Sequence, residues 1–195
     1  MTKKALILGA SLLIGVTSSP ALSADTFKID QAHTNIVFLI DHLGYSKMVG
    51  QFQEFEGSFV FDQGNVAGSK VDLTIKAASV DTDHQARAGG RRGPDFFNAQ
   101  EFPEITFVST KIAKTGENTG TITGDLTLLG QTRPVTLEVT FNKIEAHPIP
   151  SYNGVVVAGF SARGTVDRIA HGMTYAQGGI GNTLDLILEV EGHKQ

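Results

Sequence analysis

Apolar and polar residues alternate with a period of two through most of the chain after residue 26. The segments include Val71, Leu73 and Ile75 against Asp72, Thr74 and Lys76. This period places the apolar side chains of a segment on one face of a β-strand. Turn signals such as DQGN, KTGEN and PSYNG separate about eight such segments. The pattern therefore predicts an all-β fold.

The predicted strands can bury their apolar faces in two ways. An antiparallel barrel would also remove exposed sheet edges, whereas a two-sheet sandwich would retain them. The chain has 195 residues, of which 41% are apolar and 18% charged, and this suits one domain with a real core. It has no cysteine, so packing alone must hold the fold. We expect a single domain over residues 25–195.

One segment, Ser79–Phe102, interrupts the alternation with the sequence SVDTDHQARAGGRRGPDFFNAQEF. Asp81 or Thr82 is a suitable cap for a short helix that runs to about Ala88. The glycines that follow argue against a longer helix. A stretch of this length without strand pattern in a compact domain is typical of a functional loop or lid. We expect a short helix and loop insertion near residues 82–100.

The first residues have the layout of a secretory signal peptide. Lys3 and Lys4 form a positive start, residues 5–16 are an uncharged apolar run, and SSPALSA ends in small residues. The run is shorter than the roughly 20 residues that span a bilayer. We expect cleavage after Ala24 or after Ser23, with export of a mature chain that has no stable membrane span. An uncleaved anchor is the alternative.

The charge of the mature chain bears on its partners. The full chain has 16 basic and 20 acidic residues, and removal of Lys3 and Lys4 leaves 14 basic residues and a net charge of −6. An acidic surface repels phosphate backbones and anionic membrane faces. We therefore expect no nucleic-acid partner.

No motif for catalysis or metal binding is present in the sequence. Neither HExxH nor GxSxG occurs, and no two histidines have a tight ligand spacing among His33, His42, His84, His147, His171 and His193. The sequence therefore predicts no catalytic residue, no metal and no cofactor.

His42 is the histidine with an unusual position, because it follows Ile36, Phe38 and Ile40 on one apolar face. It is either a structural residue that is hydrogen-bonded to a neighbouring carbonyl or a polar group at the inner end of a pocket. In the second case it would meet the head of a ligand or an ordered water.

Three arginines form the notable cationic cluster, Arg87, Arg91 and Arg92. On a glycine-rich loop they could contact an anionic headgroup such as phosphate. The alternative is a solvated face that is neutralised by nearby acids, namely Asp81, Asp83 and Asp95.

The chain has twelve phenylalanines and no tryptophan, which suits a lining for hydrocarbon. We expect apolar residues of several strands to line a common cavity, among them Phe38, Ile40, Phe52, Phe59 and Phe61. Phe55 changes parity against Phe52, so it marks a bulge or packs outside. The alternative is a solid core of interdigitated rings, because eight-stranded barrels are near the size that side chains can fill.

Five segments, in order, resemble the YceI-like family of bacterial polyisoprenoid-binding proteins. They span residues 29–192 and read IDQAHTNIVFLIDHLGYSKMVGQFQEFEGSFVFD, SVDTDHQAR, DFFNAQEFPEITFVST, GDLTLLGQTRPVTLEV and LDLILEVEG. The resemblance implies an extended eight-stranded antiparallel, lipocalin-like barrel around a long hydrophobic pore that holds a polyprenyl chain, a quinone or a similar amphiphile. It also implies a periplasmic location and, for some members, a link to stress response. The chain departs from the family at Gly90-Arg91, where members often have His-Leu.

Together these observations predict a periplasmic, non-enzymatic protein that carries a hydrophobic small molecule or lipid, bound non-covalently. The predicted lining is Ile36, Phe38, Ile40, His42, Phe52, Phe59, Phe61, Leu73, Ile75, Phe96, Phe97, Phe107, Leu126, Leu128, Leu137 and Phe160. The predicted headgroup contacts are Arg87, Arg91 and Arg92. The alternatives are an enzyme acting on an isoprenoid lipid with His42 as acid or base, and a structural or stress adaptor with a filled barrel. A homodimer stays open.

Overall fold

The computed structural model describes residues 24–195, which form eleven β-strands, one α-helix and three short 3-10 turns. The predicted signal peptide lies outside the described residues except for Ala24. The strands are β1 Asp25–Ile29, β2 Asn35–His42, β3 Ser46–Phe52, β4 Phe55–Phe61, β5 Lys70–Lys76, β6 Val80–Asp81, β7 Glu104–Lys114, β8 Thr119–Leu128, β9 Gln131–Ala146, β10 Val156–Asp167 and β11 Ile180–Lys194. The helix is α1 Gln85–Arg92, and the 3-10 turns are Val66–Gly68, Ala77–Ser79 and Pro150–Tyr152.

The strands form a closed antiparallel barrel. β1 pairs with β4 on one side and with β11 on the other, so the first and last strands close the ring. The eleven strands occupy eight positions around the barrel, and we call each position a stave. Three staves are interrupted, and each of these consists of two strands in line: β1 and β2, β3 and β4, and β5 and β6. With these joined, the described residues make eight staves. The predicted eight-stranded barrel is confirmed.

The break between β3 and β4 explains the parity of Phe52 and Phe55. In one continuous strand, residues three apart point to opposite faces. The chain leaves the strand at Gln53 and Glu54, where Gln53 N–H donates to the Ser79 carbonyl. Phe55 is consequently only 6% exposed, and the rings of Phe52 and Phe38 lie 5.8 Å apart. The predicted irregularity is present, and the option that Phe55 packs outside is wrong.

The predicted helix near residues 82–100 is present, but it begins and ends later than predicted. His84 is its N-cap, because the Nδ1 atom accepts a hydrogen bond of 3.3 Å from the Arg87 N–H. The predicted caps, Asp81 or Thr82, lie before this residue. His84 is in an extended conformation, as an N-cap residue should be.

α1 continues through two glycines to Arg92, beyond the predicted end at about Ala88. The loop that follows turns back and satisfies the last carbonyls of the helix. Phe97 N–H donates to the Arg91 carbonyl, and Ala99 N–H donates to the Arg92 carbonyl, each at 2.9 Å. These bonds hold the last turn against the low helix propensity of glycine. This α-helix has eight residues, and no helix in residues 24–195 is long and apolar enough to cross a bilayer.

The barrel has two distinct ends. The insertion end carries residues 77–103, the β2–β3 turn and the loop at residues 168–179. The terminal end carries the β4–β5, β7–β8 and β9–β10 connections together with the start of β1 and the end of β11.

Arg168 fixes the loop at the insertion end. Its side chain is fully buried, and the guanidinium donates to the carbonyls of Met173, Tyr175, Ile180 and Gly181 at 2.6–3.1 Å. No carboxylate of the described residues lies within ion-pair distance of it. Burial lowers the pKa of Arg168, and nearby Asp167 opposes this effect.

Candidate functional site

The half of the barrel next to the terminal end encloses a cavity of about 310 Å³. Its wall is built from the inward faces of most of the staves, where every second residue is apolar. The apolar wall residues include Ile29, Ile36, Phe59, Phe61, Val71, Leu73, Phe107, Ile112, Ile122, Leu137, Val139, Phe141, Phe160, Ala162, Leu188 and Val190. The interior of this half is therefore not filled by its own side chains.

Four phenylalanines form one connected group in the wall. The Phe160 ring lies 5.1 Å from Phe61 and 5.5 Å from Phe59, both edge to face, and 5.5 Å from Phe141. Such pairs are favourable beyond the area that they bury. The contacts join strands from opposite parts of the sequence, so the rings form a packed and purely apolar surface.

A second aromatic group closes the other half of the barrel. Phe97, from the loop after α1, lies 5.3 Å from the Phe52 ring and 6.3 Å from the Phe38 ring. Phe97 and Phe38 are buried, with 5% and 6% of their surface exposed. The insertion thus plugs the barrel from one end, and the cavity stops at this plug.

The size of the cavity limits what it can hold in this conformation. An apolar protein cavity of about 150 Å³ can accommodate benzene, so about 310 Å³ corresponds to roughly twelve carbons. This is a short hydrocarbon chain or one part of a longer one. A full polyprenyl chain would have to extend through the mouth or displace the plug of Phe38, Phe52 and Phe97.

The mouth of the cavity lies at the terminal end. The exposed residues of the wall come from the β4–β5 and β7–β8 connections and the strand ends beside them, and are Gln63, Lys70, Lys114, Glu117, Asn118 and Thr119. No wall residue comes from the insertion, residues 77–103. The cavity is therefore open at one end and apolar inside.

Seven of the sixteen predicted lining residues are in the cavity wall: Ile36, Phe59, Phe61, Leu73, Phe107, Leu137 and Phe160. The other nine lie outside it, in the packed half or at the insertion end: Phe38, Ile40, His42, Phe52, Ile75, Phe96, Phe97, Leu126 and Leu128. Contact with a ligand stays a prediction for both groups. Alternation identified the inward faces, but it did not indicate which half of the barrel is packed.

His42 ends β2 at the insertion end and is half-buried. It pairs through the backbone with Ser46 and Ile180, and its imidazole has no hydrogen-bond partner among residues 24–195. The hydrogen bond to a neighbouring carbonyl, which was one of the two alternatives for His42, is therefore absent. The cavity occupies the half of the barrel next to the terminal end, and His42 is not one of its wall residues.

Arg87 and Arg92 hold the start of the insertion. The Nη2 atom of Arg87 donates to the Thr82 carbonyl at 2.6 Å, and the Nε atom donates to the Thr82 hydroxyl at 3.0 Å. The Nε atom of Arg92 donates to the Ala78 carbonyl at 2.7 Å. Both guanidinium groups thus have backbone partners within the insertion itself.

Arg91 lies over the Phe96 ring, with its guanidinium carbon 3.8 Å from the ring centroid. Burial lowers the pKa of Arg91, and the positive charges of Arg87 and Arg168 lower it further. No carboxylate of the described residues forms an ion pair with Arg87, Arg91 or Arg92, so nearby acids do not neutralise the cluster through direct contacts. Contact between this arginine cluster and the headgroup of a ligand stays a prediction. The cluster lies at the insertion end, away from the mouth of the cavity.

The fold brings together one group of possible metal ligands that the sequence spacing did not indicate. Ligand atoms of Asp30, His33 and Glu191 lie within 4.8 Å of one another. His33 Nδ1 is hydrogen-bonded to Asp30 Oδ2 at 2.5 Å, and His193 Nε2 lies 3.6 Å from the same oxygen. Burial alone would raise the pKa of Asp30, but the bonds from His33 and Ala32 and the two histidines lower it. A cation would have to replace the His33 bond, so the group is best explained as a support for the β1–β2 turn.

Comparisons with known proteins agree with this architecture. The chain matches the YceI-like domain over residues 27–192. A UPF0312 protein of Enterobacter sp. (strain 638) is 41% identical over 197 residues, which cover 100% of this chain and 99% of that protein. The crystal structure of Burkholderia cenocepacia BcnA superposes with a TM-score of 0.75 at 23% identity, over 84% of this chain and 98% of BcnA.

A polyisoprenoid binding domain from Saccharophagus degradans, implicated in plant cell wall breakdown, has the same fold. Its TM-score is 0.64 at 12% identity, over 87% of this chain and 98% of that domain. At these identities the two solved structures bear on the fold alone. The domain match covers nearly all of the described barrel, and the chain therefore belongs to the YceI-like domain family.

Proposed function

We propose that the protein is a periplasmic carrier or sequestering protein for a long apolar molecule, such as a polyisoprenoid or an isoprenoid quinone. The observation that carries this proposal is the cavity of about 310 Å³, which is lined by phenylalanine and aliphatic side chains and open at the terminal end. Membership of the YceI-like family supports a lipid-binding role, and one protein of the same fold is named for polyisoprenoid binding.

The apolar wall can supply enough binding free energy without specific polar contacts. Burial of one CH₂ group contributes about 0.8 kcal/mol, so about twelve carbons contribute roughly 10 kcal/mol before ordering costs. Micromolar affinity requires about 8.2 kcal/mol. Because ordering of the ligand and the loops offsets part of the gain, micromolar binding is the affinity that we expect for a chain of this length.

The proposed location depends on the first residues of the sequence. Lys3 and Lys4, the apolar run of residues 5–16 and the small residues before Ala24 support export. Fractionation of cells that express the full chain tests this. We expect processed protein in the periplasmic fraction, and full-length protein in the cytoplasm would contradict the proposal.

Native mass spectrometry of the mildly purified protein tests the function. We expect a second species, heavier by the mass of one lipid, which organic extraction converts to the free protein. Identification of the extract would then name the ligand. Protein that is ligand-free in repeated preparations, and that also fails to bind added farnesol, would contradict the proposal.

A further inference from the structure

The wall of the cavity is mostly apolar, and the charged residues among its lining, Lys70, Lys114 and Glu117, all lie at the mouth. The two lysines form no ion pair and donate no side-chain hydrogen bond to any residue of 24–195. Four other lysines of the described residues each pair with a carboxylate, and none of them lines the cavity: Lys47, Lys76, Lys143 and Lys194.

Lys114 lies on the inward-facing series of β7. The register of β7 shifts between Ser109 and Lys111, after which Ile112 pairs with Ile122 and Lys114 pairs with Gly120. Ile112 and Lys114 are two residues apart and both belong to the cavity wall. The aliphatic stem of Lys114 therefore extends the apolar wall, and the ammonium group reaches solvent at the rim. Gly120, directly opposite, has no side chain that would cover it.

Lys70 is on the neighbouring stave. It is the first residue of β5, which pairs with β7 through Asp72 and Val108. Lys114 belongs to the inward-facing series of its strand, whereas Lys70 alternates with the inward-facing Val71. Both lysines nevertheless line the cavity, on adjacent strands at the same end of the barrel. Asn118 and Thr119, in and after the β7–β8 turn, add polar groups to this rim.

We propose that this rim selects amphiphiles with an anionic oxygen head, a phosphate or a carboxylate, and places that head between Lys70 and Lys114. This inference rests on the proposed function, because the apolar tail must occupy the cavity. The low-dielectric wall concentrates the field of the two ammonium groups at the mouth. The surrounding surface is acidic, with a net charge of −6 for residues 25–195, so the mouth is a local exception.

The test compares farnesyl phosphate with farnesol, which share one tail and differ in the head. Isothermal titration calorimetry at low salt should show that the wild-type protein binds the phosphate about tenfold more tightly. Lys70→Ala and Lys114→Ala should each weaken phosphate binding about threefold to tenfold and leave farnesol binding within about twofold. The same comparison of affinities for dodecanoate and dodecanol tests whether the rim also selects a carboxylate head.

Two further variants separate a local charge effect from a general one. Lys111→Ala is the matched control, because Lys111 is an exposed lysine of the same strand that does not line the cavity. It should leave both affinities unchanged. Glu117→Gln removes the negative charge of the rim and should strengthen phosphate binding about twofold.

The outcomes distinguish this inference from the proposed function. Equal affinity of the wild-type protein for both ligands, or equal loss in Lys111→Ala and Lys114→Ala, overturns the anionic-head inference while the carrier function stands. Failure of both ligands to bind overturns the carrier function itself.

Discussion

The Phe38 ring on β2 occupies the space that a side chain at Gly50 on β3 would need. The two residues are directly paired, and a Cβ atom built at Gly50 would lie 2.2 Å from the Cζ atom of Phe38. The glycine therefore seats the ring against Phe52 and Phe97, and this packing closes the cavity at the insertion side.

Gly50→Ala should destabilise the protein by about 1–3 kcal/mol, because the added methyl group forces Phe38 from its position. Urea denaturation measures the change in the free energy of unfolding. Gly159→Ala on β10 is the control, since a Cβ atom there meets nothing closer than 4.0 Å. If the two variants are equally stable, the packing role of Gly50 is wrong.

A phenylalanine placed inside the cavity should compete with the ligand. Ala162 on β10 is buried in the wall, where it pairs with Leu188 and Val139. Ala162→Phe should lower the affinity for farnesol about tenfold or more, because the new ring occupies space that the tail needs. Displacement of a hydrophobic dye measures the affinity.

The matched control for this variant is Thr165→Phe, at an exposed position of the same strand. It adds the same ring outside the cavity and should leave farnesol affinity unchanged. Wild-type affinity in a folded Ala162→Phe protein would show that the ligand binds elsewhere.

The barrel could be predicted from the sequence because apolar residues alternate with polar ones along each strand and so identify its inward face. Leu137 and Val139 alternate with polar neighbours, and the same period recurs in every long strand. The break at Gln53 and Glu54 could be predicted only as an irregularity, because the parity of Phe52 and Phe55 does not show how the chain resolves it.

The extent of the cavity could not be predicted, because it depends on contacts between distant segments. Phe97 enters the barrel from a loop whose position is set by backbone hydrogen bonds to α1. Local patterning carries no information about this contact. The inward-facing position of Lys114 could not be predicted either, because the register shift between Ser109 and Lys111 determines which face of β7 it lies on.

Arg168→Met should destabilise the protein by about 2–4 kcal/mol. The change leaves four buried or partly buried carbonyls without their charged donor, and each lost bond of this kind is costly. Urea denaturation measures the loss, and limited proteolysis should show earlier cleavage within residues 169–180.

Arg163→Met is the control for this variant, because Arg163 is an exposed arginine of β10 that pairs with Glu189. It should cost at most about 1 kcal/mol, as an exposed ion pair does. A similar effect of the two substitutions would contradict the role of Arg168 in holding the loop.

Glu189→Gln should make stability less dependent on pH in the acidic range. The Ser161 hydroxyl donates to the Glu189 carboxylate at 2.5 Å and lowers its pKa below the ordinary 4.5; burial opposes this effect, and Arg163 adds to it. A carboxylate with a lowered folded-state pKa stabilises the protein above its unfolded-state pKa, and this contribution disappears as the pH falls through the folded-state value. The difference in unfolding free energy between the wild-type protein and Glu189→Gln should therefore be largest near neutral pH and shrink below about pH 4.5. Urea titrations between about pH 7 and about pH 3 measure this difference in unfolding free energy.

The control is Glu56→Gln, on the exposed face of β4. A difference between the wild-type protein and Glu189→Gln that stays constant over this pH range would show that Ser161 and Arg163 do not bias the protonation of Glu189.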